Sequence, residues 1–459
     1  MRKSHLHIVA VLLLPLALSA CAADKPARSG ETPGAAPSAG PVTVDLWHSE
    51  AAANLETLER MIDRFNASQG RVRVRPFYQG TEEEAVAKLI ASLPSGQVPT
   101  VFILEKSLAQ EMIDTGSVTP LQEFIDRDGY DLSDLDEKAV RFYTLQGKMW
   151  AMPFSMNLSL LYYNKVTFRE AGLDPERPPR DLEELWQYSE KILKRDASGQ
   201  LVRSGIALDI RPWMERALAE HGDLFVDNSN GHDGRATRVL FDNDTARWFF
   251  RWWHDMVDEG LAINVGRNPT FVEGFLAMAS GRAAMTFSYA NALRSVVDAL
   301  DEGVGGVEIG VGGLPGVPRG TGASHLLGRG LWILSLRPEE EQEAAWQFIK
   351  WLVEPEQQAE WFAGSGNLPV SHSAIDLPAA REVVARYPGF RVALDLFLKT
   401  PATPAALGAL LGPYRQVYEF MLQAQEEMLS GSTDPGEALT EAAARSDKAI
   451  EEYNQQVGD

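Results

Sequence analysis

The chain holds one cysteine among 459 residues, so it has no disulfide framework, Cys-rich zinc site or iron–sulfur cluster. Basic residues are also scarce. Lys and Arg number 43 against 64 Asp and Glu, a formal charge of −21, and a field of that sign repels phosphate backbones. Nucleic acid is thereby excluded as a general partner. A nucleotide-cradling glycine loop is missing, because Gly147-Lys148 lacks both the upstream glycine and the following hydroxyl that such a loop requires. Neither His-Glu-x-x-His nor Gly-x-Ser-x-Gly occurs, the nearest fragment being Gly364-Ser365-Gly366, which argues against a zincin or an α/β-hydrolase. His48, His221, His232, His254, His325 and His372 are scattered without metal-ligand spacing. Asp126, Asp128 and Glu137 match three calcium-loop positions, but Tyr130 and Asp131 stand where a ligand and the turn glycine belong, so this reads as a solvated acidic loop. No cofactor and no metal are expected.

What is present begins with an export signal. Arg2 and Lys3 precede an apolar run from Ile8 to Leu18, too short to be a stable membrane span. Leu18-Ser19-Ala20-Cys21 closes it and resembles a bacterial lipobox, in which the cysteine becomes the lipid-modified first residue. Residues 1–21 are therefore expected to be a lipoprotein signal peptide, with Cys21 the lipidation site. Without it, 41 basic and 64 acidic residues remain, a net charge of −23. Residues 22–41 are mostly Ala, Gly, Pro and Ser, a composition that buries no core and reads as a flexible tether. The expected location is the cell envelope, outside the cytoplasm, held to a membrane by lipid.

The body is 45% hydrophobic and 23% charged over the whole chain, enough for two or three compact units. Val42 to Trp47 alternates as a strand, and Leu55, Leu58, Met61, Ile62 and Phe65 then share a helical face. Arg71 to Tyr78 alternates again, Ala85 to Leu93 is helical, and Val101 to Leu104 is a short apolar strand. This βαβα order predicts a mainly parallel sheet covered by helices. A second α/β unit follows, with extended runs at Leu158 to Tyr163 and Gly205 to Leu208, and further strands are expected at Ala283 to Phe287 and Leu331 to Leu336. Trp248, Phe249, Trp252 and Met256 share one face of a helix capped near Asp242 to Asp244 and are expected in the core. From Pro338 onward the pattern is helical, and no fixed-period repeat appears.

Four motifs in register carry a resemblance. Leu46-Trp47-His48-Ser49, Tyr162-Tyr163-Asn164-Lys165, Gly281-Arg282-Ala283-Ala284-Met285-Thr286 and Gly366-Asn367-Leu368-Pro369-Val370 resemble the extracellular solute-binding proteins (family 1) of bacterial ABC importers for carbohydrates. The pattern is nearest to the sn-glycerol-3-phosphate-binding members. The resemblance implies an α/β, two-lobed, periplasmic-binding-protein-like fold of type II, with a ligand cleft between lobes that close by hinge motion. It places lobe one at residues 42–153 and 287–353, and lobe two at 154–286 and 354–459.

The same resemblance implies site residues. Tyr78 and Glu105 match a tyrosine and a glutamate that meet ligand after the second and third strands, and Trp47 and His48 end the first. Met156 and Asn157 follow the Pro-Phe turn, and Trp213 matches one of two tryptophans, Ile210 standing at the other. Tyr289 and Asn291 lie at the turn after the Ala-Met-Thr strand, Gly328 matches a glycine that lets backbone approach ligand, and Arg329 is beside it. The family's phosphate-binding arginine falls on Leu410, which disfavours free glycerol-3-phosphate unless Arg329 or Arg415 substitutes. The expected function is capture of a sugar, amino sugar or short oligosaccharide for delivery to a membrane ABC permease, by a monomer with no enzymatic activity. Binding of glycerol-3-phosphate or a glycerophosphodiester, and a solute sensor without transport, stay open as alternatives.

Overall fold

The computed structural model describes residues 40–211, 213–267, 272–301 and 306–458. The signal peptide, Cys21 and nearly all of the expected tether lie outside the described residues. The alternating segments form strands as expected: β1 (Val42–His48), β2 (Val72–Tyr78) and β3 (Val101–Glu105), parallel in the order β2-β1-β3. Helix α1 (Ala53–Ser68) buries Thr57, Leu58, Met61, Ile62 and Phe65 against them. Helix α2 (Glu82–Ser92) starts from a capping box, in which the Thr81 hydroxyl accepts from the Glu84 N–H and the Glu84 carboxylate accepts from the Thr81 N–H. The strand Leu327–Leu334 completes this sheet, antiparallel to both β3 and Met152–Asn157.

A second sheet repeats the plan. Ala262–Asn264, Leu201–Leu208 and Ala283–Tyr289 are parallel neighbours, followed by Ser159–Asn164 and Ile309–Gly313 in antiparallel pairing. Each six-stranded sheet thus contains three adjacent parallel strands and, beside them, an antiparallel strand reached from the other sheet. The chain crosses at Leu158, between Met152–Asn157 in the first sheet and Ser159–Asn164 in the second, and returns between Ile309–Gly313 and Leu327–Leu334.

Strand pairing divides the chain differently from the expected ranges. The resemblance implies residues 287–353 in lobe one, yet Ala283–Tyr289 stays in the second sheet to its last residue and Ile309–Gly313 forms that sheet's edge. The antiparallel ladder to Ser159–Asn164 holds both there. Helix Pro355–Ser365, within the range expected for lobe two, packs on α1, and its Trp361 and Phe362 join the first core. The second core takes Phe249, Trp252 and Met256 from helix Asp244–Asp258 as their spacing predicts, adds Phe250 and Trp253 from the same helix, and leaves Trp248 only half-buried against it; Asn243 caps that helix by accepting from the Ala246 N–H. The two long C-terminal helices, Tyr414–Leu429 and Pro435–Val457, pack on it. Among the described residues no helix is long and apolar enough to cross a membrane.

Ile309–Gly313 tolerates no side chain at its second residue. A Cβ on Gly310 would lie 2.2 Å from the Tyr163 ring, which stacks on Phe168 and whose hydroxyl donates to the Pro175 carbonyl. Gly310→Ala is expected to destabilise the protein by about 1–3 kcal/mol through overpacking, read as a lower denaturant midpoint at unchanged slope.

Candidate functional site

Because β1, β2 and β3 run parallel, their last residues, His48, Tyr78 and Glu105, emerge at one edge of the first sheet, where open α/β sheets hold ligands. Arg329 lies directly across the ladder from Glu105. The Thr81 cap places Glu82 in the first turn of α2, and Glu82 Oε1 accepts the Glu105 N–H at 3.0 Å. Arg329 then bridges two carboxylates, Nη1 at 2.6 Å from Glu50 Oε1 and Nη2 at 3.0 Å from Glu82 Oε2. Three carboxylates surround one guanidinium. Burial, and then Glu82, push the Glu105 carboxyl above its ordinary range. Burial holds the His48 imidazole low, and its Nδ1 is buried with no hydrogen-bond partner among the described residues.

The second lobe supplies aromatic rings and cations. After Leu201–Leu208 the chain turns into helix Trp213–His221. Trp213 Nε1 donates to the carbonyl and the carboxylate of Asp209 at 2.8 and 3.1 Å, and its ring meets Phe287 edge-on at 5.2 Å. Arg211 Nε is 2.5 Å from Asp209 Oδ2, and its guanidinium carbon is 5.3 Å from the Tyr289 ring centre. Arg216 lies 4.9 Å from the Trp213 ring and 5.1 Å from Tyr289. Tyr418 joins the two walls. Burial raises its phenol above the ordinary range, and Tyr289, Arg211, Glu105 and Arg216 all act on it. Tyr418 thus lies within electrostatic reach of Glu105 from the first sheet and of Arg211 and Arg216 from the second.

A buried ionic knot lies behind that space. Lys106, next to Glu105, donates to the Leu407 carbonyl and sits 3.7 Å from the Phe142 ring centre. Glu215 of helix Trp213–His221 accepts from the Ala409 N–H at 3.2 Å and from the Tyr414 hydroxyl at 2.9 Å, and His325 Nε2 is 3.4 Å away. Burial brings the Lys106 ammonium down to about 7. Burial works against ionisation of Glu215 as well, but His325 and Lys106 outweigh it and hold the carboxyl at about 2. Gly408, at φ 76°, is required: a Cβ there would meet His325 at 2.4 Å and Lys106 at 2.7 Å.

The structure brings His48, Tyr78, Glu105 and Arg329 together on one wall, and Trp213 and Tyr289 on the other. Other expected residues stand apart from these groups. Trp47 is half-buried against the first core, on the opposite face of β1 from His48. Met156 is fully buried beneath Gly328, where a Cβ would lie 2.9 Å from its sulfur. The Asn157 side chain accepts from its neighbour's N–H, and Asn291 donates to Asn367 at 3.4 Å. Arg329 is engaged by Glu50 and Glu82, and Arg415 pairs with Glu111 on an exposed surface, so neither stands free for an anion. Leu410 is buried. Sequence reasoning missed Glu50, Glu82, Arg211, Arg216, Glu215 and Tyr418; the i, i+3 spacing of Trp213 and Arg216 was the one readable signal.

Two α/β lobes with facing strand ends and a polar, aromatic space between them define a two-lobed binding protein of the periplasmic type II fold. The family model described as bacterial extracellular solute-binding protein matches residues 60–392, and the chain belongs to that family. It is 26% identical over 418 residues to the sn-glycerol-3-phosphate-binding periplasmic protein UgpB of Salmonella typhimurium, covering 90% of this chain and 93% of that one. Its fold is similar to the cyclic alpha-maltosyl-1,6-maltose binding protein of Arthrobacter globiformis (TM-score 0.73, 24% identity, 90% and 100% of the two chains). It is also similar to UgpB of Mycobacterium tuberculosis in complex with glycerophosphocholine (TM-score 0.71, 22% identity, 92% and 100%).

A carboxyl held at about 2 instead of its ordinary 4.5 stabilises the fold fully above pH 4.5, and that stability is lost as pH falls toward 2. The difference corresponds to on the order of 3 kcal/mol. Stability measured between pH 5 and pH 3 is expected to fall less steeply in Glu215→Gln than in the parent, from a lower starting value. Parallel profiles would show that Glu215 is not the titrating group.

Proposed function

We propose that this protein captures a sugar, amino sugar or short oligosaccharide between its lobes and delivers it to the membrane permease of an ABC importer, as a monomer and without chemical turnover. The observation that carries the reading is the meeting of strand ends from both sheets around one space, with carboxylates on one side and rings with guanidinium groups on the other. Sugar hydroxyls are donors and acceptors at once, and a cleft of this kind surrounds them with fixed partners. Glu105 accepts from hydroxyls, His48 Nδ1 offers an unused ring nitrogen, and the Tyr78 and Tyr289 rings suit the C–H face of a pyranose. Asn157, at the end of the strand before the crossing into the second lobe, and Asn291, just after Tyr289, are proposed to extend the polar edge.

The names of the relatives support a hydroxylated small solute: sn-glycerol-3-phosphate, cyclic alpha-maltosyl-1,6-maltose and glycerophosphocholine. A glycerol-derived ligand is the second reading, favoured by the two arginines beside Tyr289. We further propose that lipid on Cys21 anchors the protein to a membrane outside the cytoplasm, with residues 22–41 as the flexible tether between anchor and body.

A thermal-shift panel of mono-, di- and oligosaccharides, amino sugars and glycerol derivatives tests the reading. A ligand at a hundred times its Kd adds about 2.7 kcal/mol to the folded state, so at least one of them is expected to raise the midpoint. Glu105→Ala is expected to weaken that ligand about tenfold or more by calorimetry. A flat panel would contradict the proposal.

A further inference from the structure

Arg216 is a buried cation without a counter-ion at contact distance. It is 2% exposed, its Nε and Nη2 have no hydrogen-bond partner among the described residues, and no carboxylate lies within ion-pair reach of it among them. The nearby acids are otherwise engaged. Asp209 binds Arg211 and the Trp213 indole, and Glu215 binds Ala409 and Tyr414. Glu220, one turn along the helix, interacts with Arg216 only at longer range, and its burial pushes its carboxyl well above the ordinary range, toward the neutral form.

Two rings hold the guanidinium in place. Trp213 and Tyr289 both lie about 5 Å from its carbon, a geometry that stabilises the charge without using its N–H groups. Arg211 adds a second guanidinium at 5.3 Å from the same Tyr289 ring. Burying a charge without a partner is expensive, and the fork of an arginine matches the paired oxygens of an oxyanion. We infer that the lobe-two wall of the cleft is an oxyanion subsite, in which Arg216, seconded by Arg211, receives a carboxylate, sulfate or phosphate carried on a hydroxylated carbon skeleton. The inference rests on the cleft reading and deepens it: the hydroxyls face Glu105 and the anion faces Arg216. It also replaces Arg329 and Arg415, which already hold carboxylates, as the source of positive charge.

Calorimetry on the purified protein with matched pairs decides it. The pairs are glucuronate against glucose, glucose 6-sulfate against glucose, glucose 6-phosphate against glucose, and sn-glycerol 3-phosphate against glycerol, which separates the carboxylate, sulfate and phosphate sources. At least one charged member is expected to bind tenfold or more tighter than its neutral partner, and Arg216→Gln is expected to bring that ratio close to one. Arg216→Lys keeps the charge over the rings and loses the fork, so an intermediate ratio is expected from it. The parent protein alone decides the outcome if either variant fails to fold. Neutral sugars binding as well as or better than every charged partner would overturn the oxyanion subsite and leave the cleft reading standing. No binding by any member of any pair, charged or neutral, would overturn both.

Discussion

The ionised carboxylate of Glu215, buried between the lobes, is the constraint on which the rest of the structure depends. It gathers the Ala409 N–H, the Tyr414 hydroxyl and His325, with Lys106 opposite. Together with Glu215 these groups come from four separate passages of the chain, at residues 106, 215, 325 and 409–414. Removing one member of such a buried cluster leaves charge unpaired, which is far more damaging than losing a surface pair. The knot sets the C-terminal helices against the second lobe, places Tyr414 and Tyr418 at the interlobe space, and fixes the backbone that follows β3. Gly408 is the single residue type that fits its centre, for both conformational and steric reasons.

From that fixed point the two walls acquire opposite character. The first lobe presents Glu50, Glu82 and Glu105 around Arg329, and the second presents Arg211, paired with Asp209, and Arg216 around Tyr289. An acidic face on one lobe and a basic face on the other together complement a ligand with hydroxyls at one end and negative charge at the other. The capping box at Thr81 contributes at a distance, because it aims Glu82 at the Glu105 N–H and the Arg329 guanidinium together.

Much of the fold was legible because alternation and 3.6-residue periodicity report burial directly. Val42–His48, Val72–Tyr78 and Val101–Glu105 have one buried face or two, and their helices carry clear apolar stripes. Ile309–Gly313 was not legible, since three of its five residues are glycine and its place comes from Tyr163 filling the room above Gly310. The boundary expected at residue 287 shifted for the same reason: that strand pairing was invisible. In the candidate site, Glu105 and Tyr289 stand at strand ends, where resemblance and topology agree. Arg211 and Arg216 were not found, because an arginine reads as a solvated charge until tertiary packing buries it, Arg211 beside Tyr289 and Arg216 between Trp213 and Tyr289.

The most direct test of the account is a crystal structure of the protein with the solute that stabilises it most. The account predicts density between the lobes, with hydroxyls on Glu105 and part of the solute packed against Tyr289 within reach of Arg216. A solute bound to the outer surface of one lobe, with Glu105 and Arg216 untouched, would contradict it.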